Sequence, residues 1–202
     1  MTTMHCKSRP ALLTAAVGRL PIGRGFTLIE LLIVMALLGT LIALAAPSFL
    51  QFQRNSRLRS VSTSLVSAIA AARSEAMKRQ KYTFVEPRGG NWNAGWDVYV
   101  DMDSNLAFDK AVDLKVGDQA DKPSDMGVTI KSGLPAASNY IMFSGSGFPR
   151  NKAGAFLSGT ITASIEGSND TKRSIVLANT GRVRVCDPSK TKDAEECPDA
   201  TK

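Results

Sequence analysis

The chain has 202 residues, 44% of them hydrophobic and 21% charged, with a formal net charge of +7. That length holds one apolar span and a single soluble domain of ordinary size, and leaves no room for a second. The single histidine is His5, so beyond the first few residues no imidazole is present for acid–base or metal chemistry.

Residues 1–25 contain Lys7, Arg9, Arg19 and Arg24 and no acid, so the chain without them carries +3, four less than +7. Their apolar patch, Ala11 to Val17, is too short to cross a bilayer. From Phe26 to Ala46 the sequence is apolar except for Glu30. As a helix this stretch rises about 1.5 Å per residue and crosses a hydrocarbon core of roughly 30 Å. Bases before the span and a large polar domain after it predict a cytoplasmic N-terminus and an exported C-terminus. A carboxylate in such a span costs on the order of 1–3 kcal/mol even near an interface, which predicts a partner for Glu30. A secretory signal cut after Ala43-Leu44-Ala45, or at Ala46, is one alternative. The acid, the length of the run and the Pro47 left at the new terminus argue against it. An uncut anchor with a cytoplasmic tail of residues 1–25 is another.

The run Gly25-Phe26-Thr27-Leu28-Ile29-Glu30 resembles the processing site of type IV pilins and type II secretion pseudopilins, and the likeness is close from Arg24 to about Arg79. It implies a prepilin peptidase that cuts after Gly25, removing leader 1–25, and methylates the new amino group of Phe26. It further implies that Glu30 neutralises the amino terminus of a neighbouring subunit and sets register. Other pilins or pseudopilins are then partners through the N-terminal helix. Inner-membrane lipid surrounds that helix before assembly into a pilus or pseudopilus. No cofactor is implied. The remainder resembles the GspH/FimT branch in outline.

Beyond Pro47, Leu58, Val61, Leu65, Ile69, Ala72 and Ala76 recur at helical spacing, with Arg54, Arg57, Arg59, Arg73 and Lys78 on other faces. Phe26 to about Arg79 reads as one helix of roughly 80 Å, kinked but not ended at Pro47. The domain 47–202 thus begins with an amphipathic helix over 47–80. Strand patterns follow at 82–85, 96–100, 140–143, 159–165, 173–177 and 182–186, with weaker ones at 111–116 and 126–131. The expected fold is α+β: a long helix whose amphipathic half packs on an antiparallel sheet, the pilin-like arrangement that the resemblance also implies. Residues 82–131 carry nine acids and five bases, whereas Arg54 to Lys81 carries seven bases and only Glu75. Opposite faces of this kind suit head-to-tail stacking of subunits.

Three side-chain groups stand out in the head. Cys186 and Cys197 form an even pair on the exported side, where a disulfide persists; a metal site would lack histidine. Asp101-x-Asp103-x-Asn105 with Asp109 has the alternate spacing of a calcium loop. However, Leu106 and Val112 stand where that loop needs glycine and glutamate, which favours a plain polar turn and no metal. In Gly181-Arg182-Val183-Arg184, strand alternation places the two guanidiniums on one face and Val183 and Val185 inward. Paired guanidiniums suit phosphates, and the motif is similar to that of FimT-type minor pilins, which bind DNA. Lys172, Arg173 and Lys190 extend the basic set, while Asp193, Glu195, Glu196 and Asp199 oppose it. The alternative is salt bridges from these arginines to adjacent subunits. With no Gly-x-Ser-x-Gly elbow and no base beside Ser144-Gly145-Ser146-Gly147, no catalytic group is expected.

Overall fold

The structure, a computed structural model, describes residues 25–119, 121–135, 137–166, 171–190 and 197–201. Lys7, Arg9, Arg19, Arg24, Cys6, Asp193, Glu195 and Glu196 lie outside them. The chain divides into two units, Met1–Ala45 and Ala46–Lys202.

In the first unit the helix α1 (Leu28–Arg79) begins. Thr27 closes its N-terminus: the Glu30 N–H donates to Thr27 Oγ1 at 3.2 Å and the Leu31 N–H to the Thr27 carbonyl at 3.1 Å. Every side chain from Leu28 to Leu44 is exposed. An apolar surface on all sides of a helix suits lipid or other helices better than water.

In the second unit α1 continues to Arg79, and its stripe Leu58, Val61, Leu65, Ile69, Ala72 and Ala76 is buried as the spacing predicts. Among the described residues nine antiparallel strands follow: β1 (Thr83–Pro87), β2 (Trp96–Val100), β3 (Leu114–Asp118), β4 (Val128–Ser132), β5 (Ile141–Phe143), β6 (Pro149–Arg150), β7 (Gly159–Ile165), β8 (Lys172–Leu177) and β9 (Val183–Cys186). They form two sheets where one was expected, ordered β3-β2-β1-β5-β6 and β4-β7-β8-β9. The join is made by a short turn at Trp92–Ala94, where Asn93 Oδ1 accepts from the Ile130 N–H of β4 at 2.6 Å. Both sheets share the core under α1. Val85, Trp96, Val98, Ile141 and Phe143 come from the first, and Val128, Ile130, Ile161, Ala163, Ile175 and Leu177 from the second.

The first sheet is also covered on its other face. Phe84, Tyr99, Tyr140 and Met142 form a second cluster with Leu106 against it. Phe84 stacks on Tyr99 at 5.1 Å between ring centroids, and Phe108 lies against Tyr99 at 4.7 Å. The loop over residues 101–113 therefore roofs this sheet.

Candidate functional site

The loop with calcium-like spacing is built as a staple. Asp101 is fully buried and accepts from the backbone N–H groups of Ser104, Asn105 and Leu106 at 2.7, 3.2 and 2.9 Å. Burial pushes its carboxyl above the ordinary aspartate value, against the lowering effect of those backbone bonds. Leu106 holds a φ of 61°, the left-handed conformation a calcium loop assigns to glycine, and its side chain is anchored in the second cluster. Asp113, which spacing did not single out, joins Asp101 and Asp103 with carboxylate oxygens within 4.8 Å of one another. Its own oxygens accept from the Met102 and Asp109 N–H groups at 2.9 and 2.7 Å. These bonds tie the loop to its own backbone.

The C-terminal segment is bound across the outer face of the second sheet. Cys186 and Cys197 are joined, with Cα atoms 5.9 Å apart. Thr162, Ser174 and Cys186 stand in one row across β7, β8 and β9. The segment follows that row: the Ala200 N–H donates to Thr162 Oγ1 at 3.0 Å. Lys172 Nζ meets Asp199 Oδ2 at 2.8 Å and Thr201 Oγ1 at 2.6 Å.

This arrangement sorts the basic residues named from sequence. Arg182 is exposed and Arg184 half-buried, on the same outer face as Cys186, and neither has a carboxylate partner among the described residues. Lys172 shares that face but is committed to Asp199. Arg173 lies on the opposite face, paired with Asp187 at 2.6 Å, in a groove of about 740 Å³ that Phe52, Arg59, Ser62 and Val185 also line. Neither therefore extends the Arg182–Arg184 patch as expected. Val185 lies on the core-side face with Val183, opposite Ile175 in register, yet it is not covered. It is 45% exposed, because β9 is the edge strand and no strand among the described residues pairs beyond it. Val183 does pack against the core.

Gly181 is required by geometry. Its φ is 80°, and a Cβ there would stand 2.9 Å from the Gly147 carbonyl oxygen. Arg73 of α1 donates to the Gly181 carbonyl at 2.9 Å, tying the turn before β9 to the helix. The glycine of the motif thus has a structural reason independent of any ligand.

A family model described as Type II transport protein GspH matches residues 62–181, more than half of the chain. The chain belongs to the GspH family. This GspH-family chain also matches the Prokaryotic N-terminal methylation motif over residues 23–46, which contains Gly25, Phe26 and Glu30. Together with the fold, these matches make it a pilin or pseudopilin of the GspH/FimT type, a structural protein by family. Among curated proteins it is 41% identical over 63 residues to the type IV major pilin protein PilA of Myxococcus xanthus, covering 31% of this chain and 29% of that one. It is 34% identical over 90 residues to the pilin-like protein PilA1 of Thermus thermophilus, covering 43% and 53%. The chain thus spans under two thirds of either relative. The fold is similar to that of the type IV minor pilin FimU of Pseudomonas aeruginosa, with a TM-score of 0.51 at 19% identity over 69% of this chain and 95% of that one.

Proposed function

We propose that this GspH-family chain is a filament subunit that works by packing and not by turnover. It is made as an inner-membrane precursor with its head in the periplasm, cut after Gly25 and methylated on Phe26 by a prepilin peptidase. It then enters a type IV pilus or type II secretion pseudopilus at or near the tip, where it helps to start assembly. One observation carries this reading. The methylation-motif match coincides with a helix that is apolar and exposed on all sides from Leu28 to Leu44, with Glu30 as its lone charge. A helix of this kind is stable only in lipid or among other apolar helices. In the bundle, Glu30 finds the amino terminus of a neighbour.

The test is the N-terminal residue and the fate of Glu30→Ala. Mass spectrometry of protein from cells is expected to find a methylated Phe26 start. Glu30→Ala is expected to be cut normally yet to be depleted severalfold from sheared filaments. A native start at Met1, or near Ala46, would overturn the proposal.

A second reading is supported by the two arginines that lack carboxylate partners among the described residues: Arg182 and Arg184 hold extracellular DNA by its phosphates. Two contacts give weak binding that falls with salt. Titration of the chain with duplex DNA is expected to show binding at low salt that Arg182→Ala/Arg184→Ala abolishes. An unaffected double variant would leave subunit contacts as the role of these side chains.

A further inference from the structure

The outer face of the second sheet has a composition of its own. Register places Lys131 of β4, Thr162 of β7, Ser174 of β8 and Cys186 of β9 in one row across it. Thr129, Ser164 and Lys172 form the row on one side, and Thr160, Val176 and Arg184 the row on the other. None of these strand positions is acidic, and hydroxyls and cations fill most of them. Those two groups are the ones that contact phosphate oxygens without reading a base.

The C-terminal segment, residues 197–201, occupies the middle of that face. Thr162 and Ser174 are fully buried; their hydroxyls stand 3.0 Å apart, and Thr162 Oγ1 also accepts the Ala200 N–H. Asp199 brings the carboxylate that the strands lack, and with Thr201 it takes up the Lys172 ammonium. Anionic and hydroxyl oxygens around one ammonium are also what a phosphate and its neighbouring groups offer, in the same charge-assisted bonds. Arg182 and Arg184 share the face and keep no carboxylate partner among the described residues.

We infer that residues 197–201 are an autoinhibitory strap, in which Asp199 stands on Lys172 in the place of a DNA phosphate. Lifting the strap uncovers Thr162 and Ser174 and joins them and Lys172 to Arg182 and Arg184 as one phosphate-binding face. This inference rests on the reading in which those two arginines hold DNA. The disulfide keeps the strap attached while it lifts, because Cys197 stays fixed to Cys186. The contacts beyond Cys197 are polar and are replaced in kind by a phosphate backbone. First contact through the arginines is then weak, and binding strengthens where DNA displaces the strap.

The test is titration of the full chain with duplex DNA across a range of salt. Asp199→Asn/Thr201→Ala removes the acceptors on Lys172, and an ammonium buried without them drives the strap off. That variant is expected to bind severalfold more tightly than the parent at low salt, with a salt slope steeper by about 0.9, one further phosphate contact. Adding Lys172→Gln is expected to cancel both changes, and adding Lys172→Arg to keep them. Reducing the disulfide of the parent is a second route to release and is expected to give the same gain. Amide exchange reports the fold: Ala200 is expected to exchange faster while β7 and β8 stay protected. Asp121→Asn removes an exposed acid outside this face and is expected to leave the slope unchanged. Equal affinity and slope in the Asp199/Thr201 variant, or a gain matched by Asp121→Asn, overturns the strap alone. Parent binding that Arg182→Ala/Arg184→Ala leaves intact refutes the DNA reading beneath it.

Discussion

Asp199 and Lys172 show how a single ion pair fastens a segment. Their side chains are only 8% and 13% exposed. Burial works to raise the Asp199 carboxyl, but hydrogen bonds from Lys172 and Thr201 outweigh it and hold the group below the usual aspartate value. Asp187 behaves alike: burial raises it, and bonds from Ser189 and Arg173 bring it down. A carboxyl lowered in the folded state contributes stability that is present above its unfolded value, about 3.9, and is lost as pH falls through the folded value. Asp199→Asn is therefore expected to flatten the loss of stability below about pH 4, read as denaturant midpoints across pH. At neutral pH, Asp199→Ala leaves Lys172 buried without its acid and is expected to cost about 2–4 kcal/mol, whereas Lys172→Met/Asp199→Leu recovers most of it. Sequence showed the composition of this cluster but not its pairing. The acids were expected to oppose a basic patch, and Asp199 does so by pairing with Lys172.

Elements were legible to the extent that their signal is periodic. The helical stripe from Leu58 to Ala76 was readable because burial against two sheets demands an apolar residue at every turn. The strands around 96–100 and 159–165 were readable because β-branched and aromatic residues are bounded by turns. β6 is only Pro149–Arg150, too short to leave a pattern. Val185 kept the alternation but not the burial, because it stands on an edge strand where the core no longer covers that face. The C-terminal segment has no periodicity, since cross-strand side-chain contacts and one disulfide hold it. Closing a loop with a sequence separation of 11 stabilises by about 3 kcal/mol in the chain-entropy account. Cys186→Ser/Cys197→Ser is expected to lose about that much in equilibrium unfolding while keeping the native far-ultraviolet spectrum.

At the scale of the whole second unit, one core serves both sheets, and the stripe of α1 is its shared wall. Leu65 is fully buried in it. Leu65→Ala is expected to cost about 2–5 kcal/mol, with both sheets melting in one transition when followed by tryptophan fluorescence and by amide exchange. Separate transitions would show that the sheets are independent. The division into two sheets escaped the sequence because it depends on which strand pairs with which across long separations.

The second cluster has a consequence for variation. Because Phe84, Tyr99, Tyr140 and Met142 meet the 101–113 loop on the side of the first sheet away from α1, that loop is seated in a small oily socket of its own. Its outer residues can be exchanged, and the molecule's outward identity rewritten, without disturbing the interior that the helix and the two sheets hold in common.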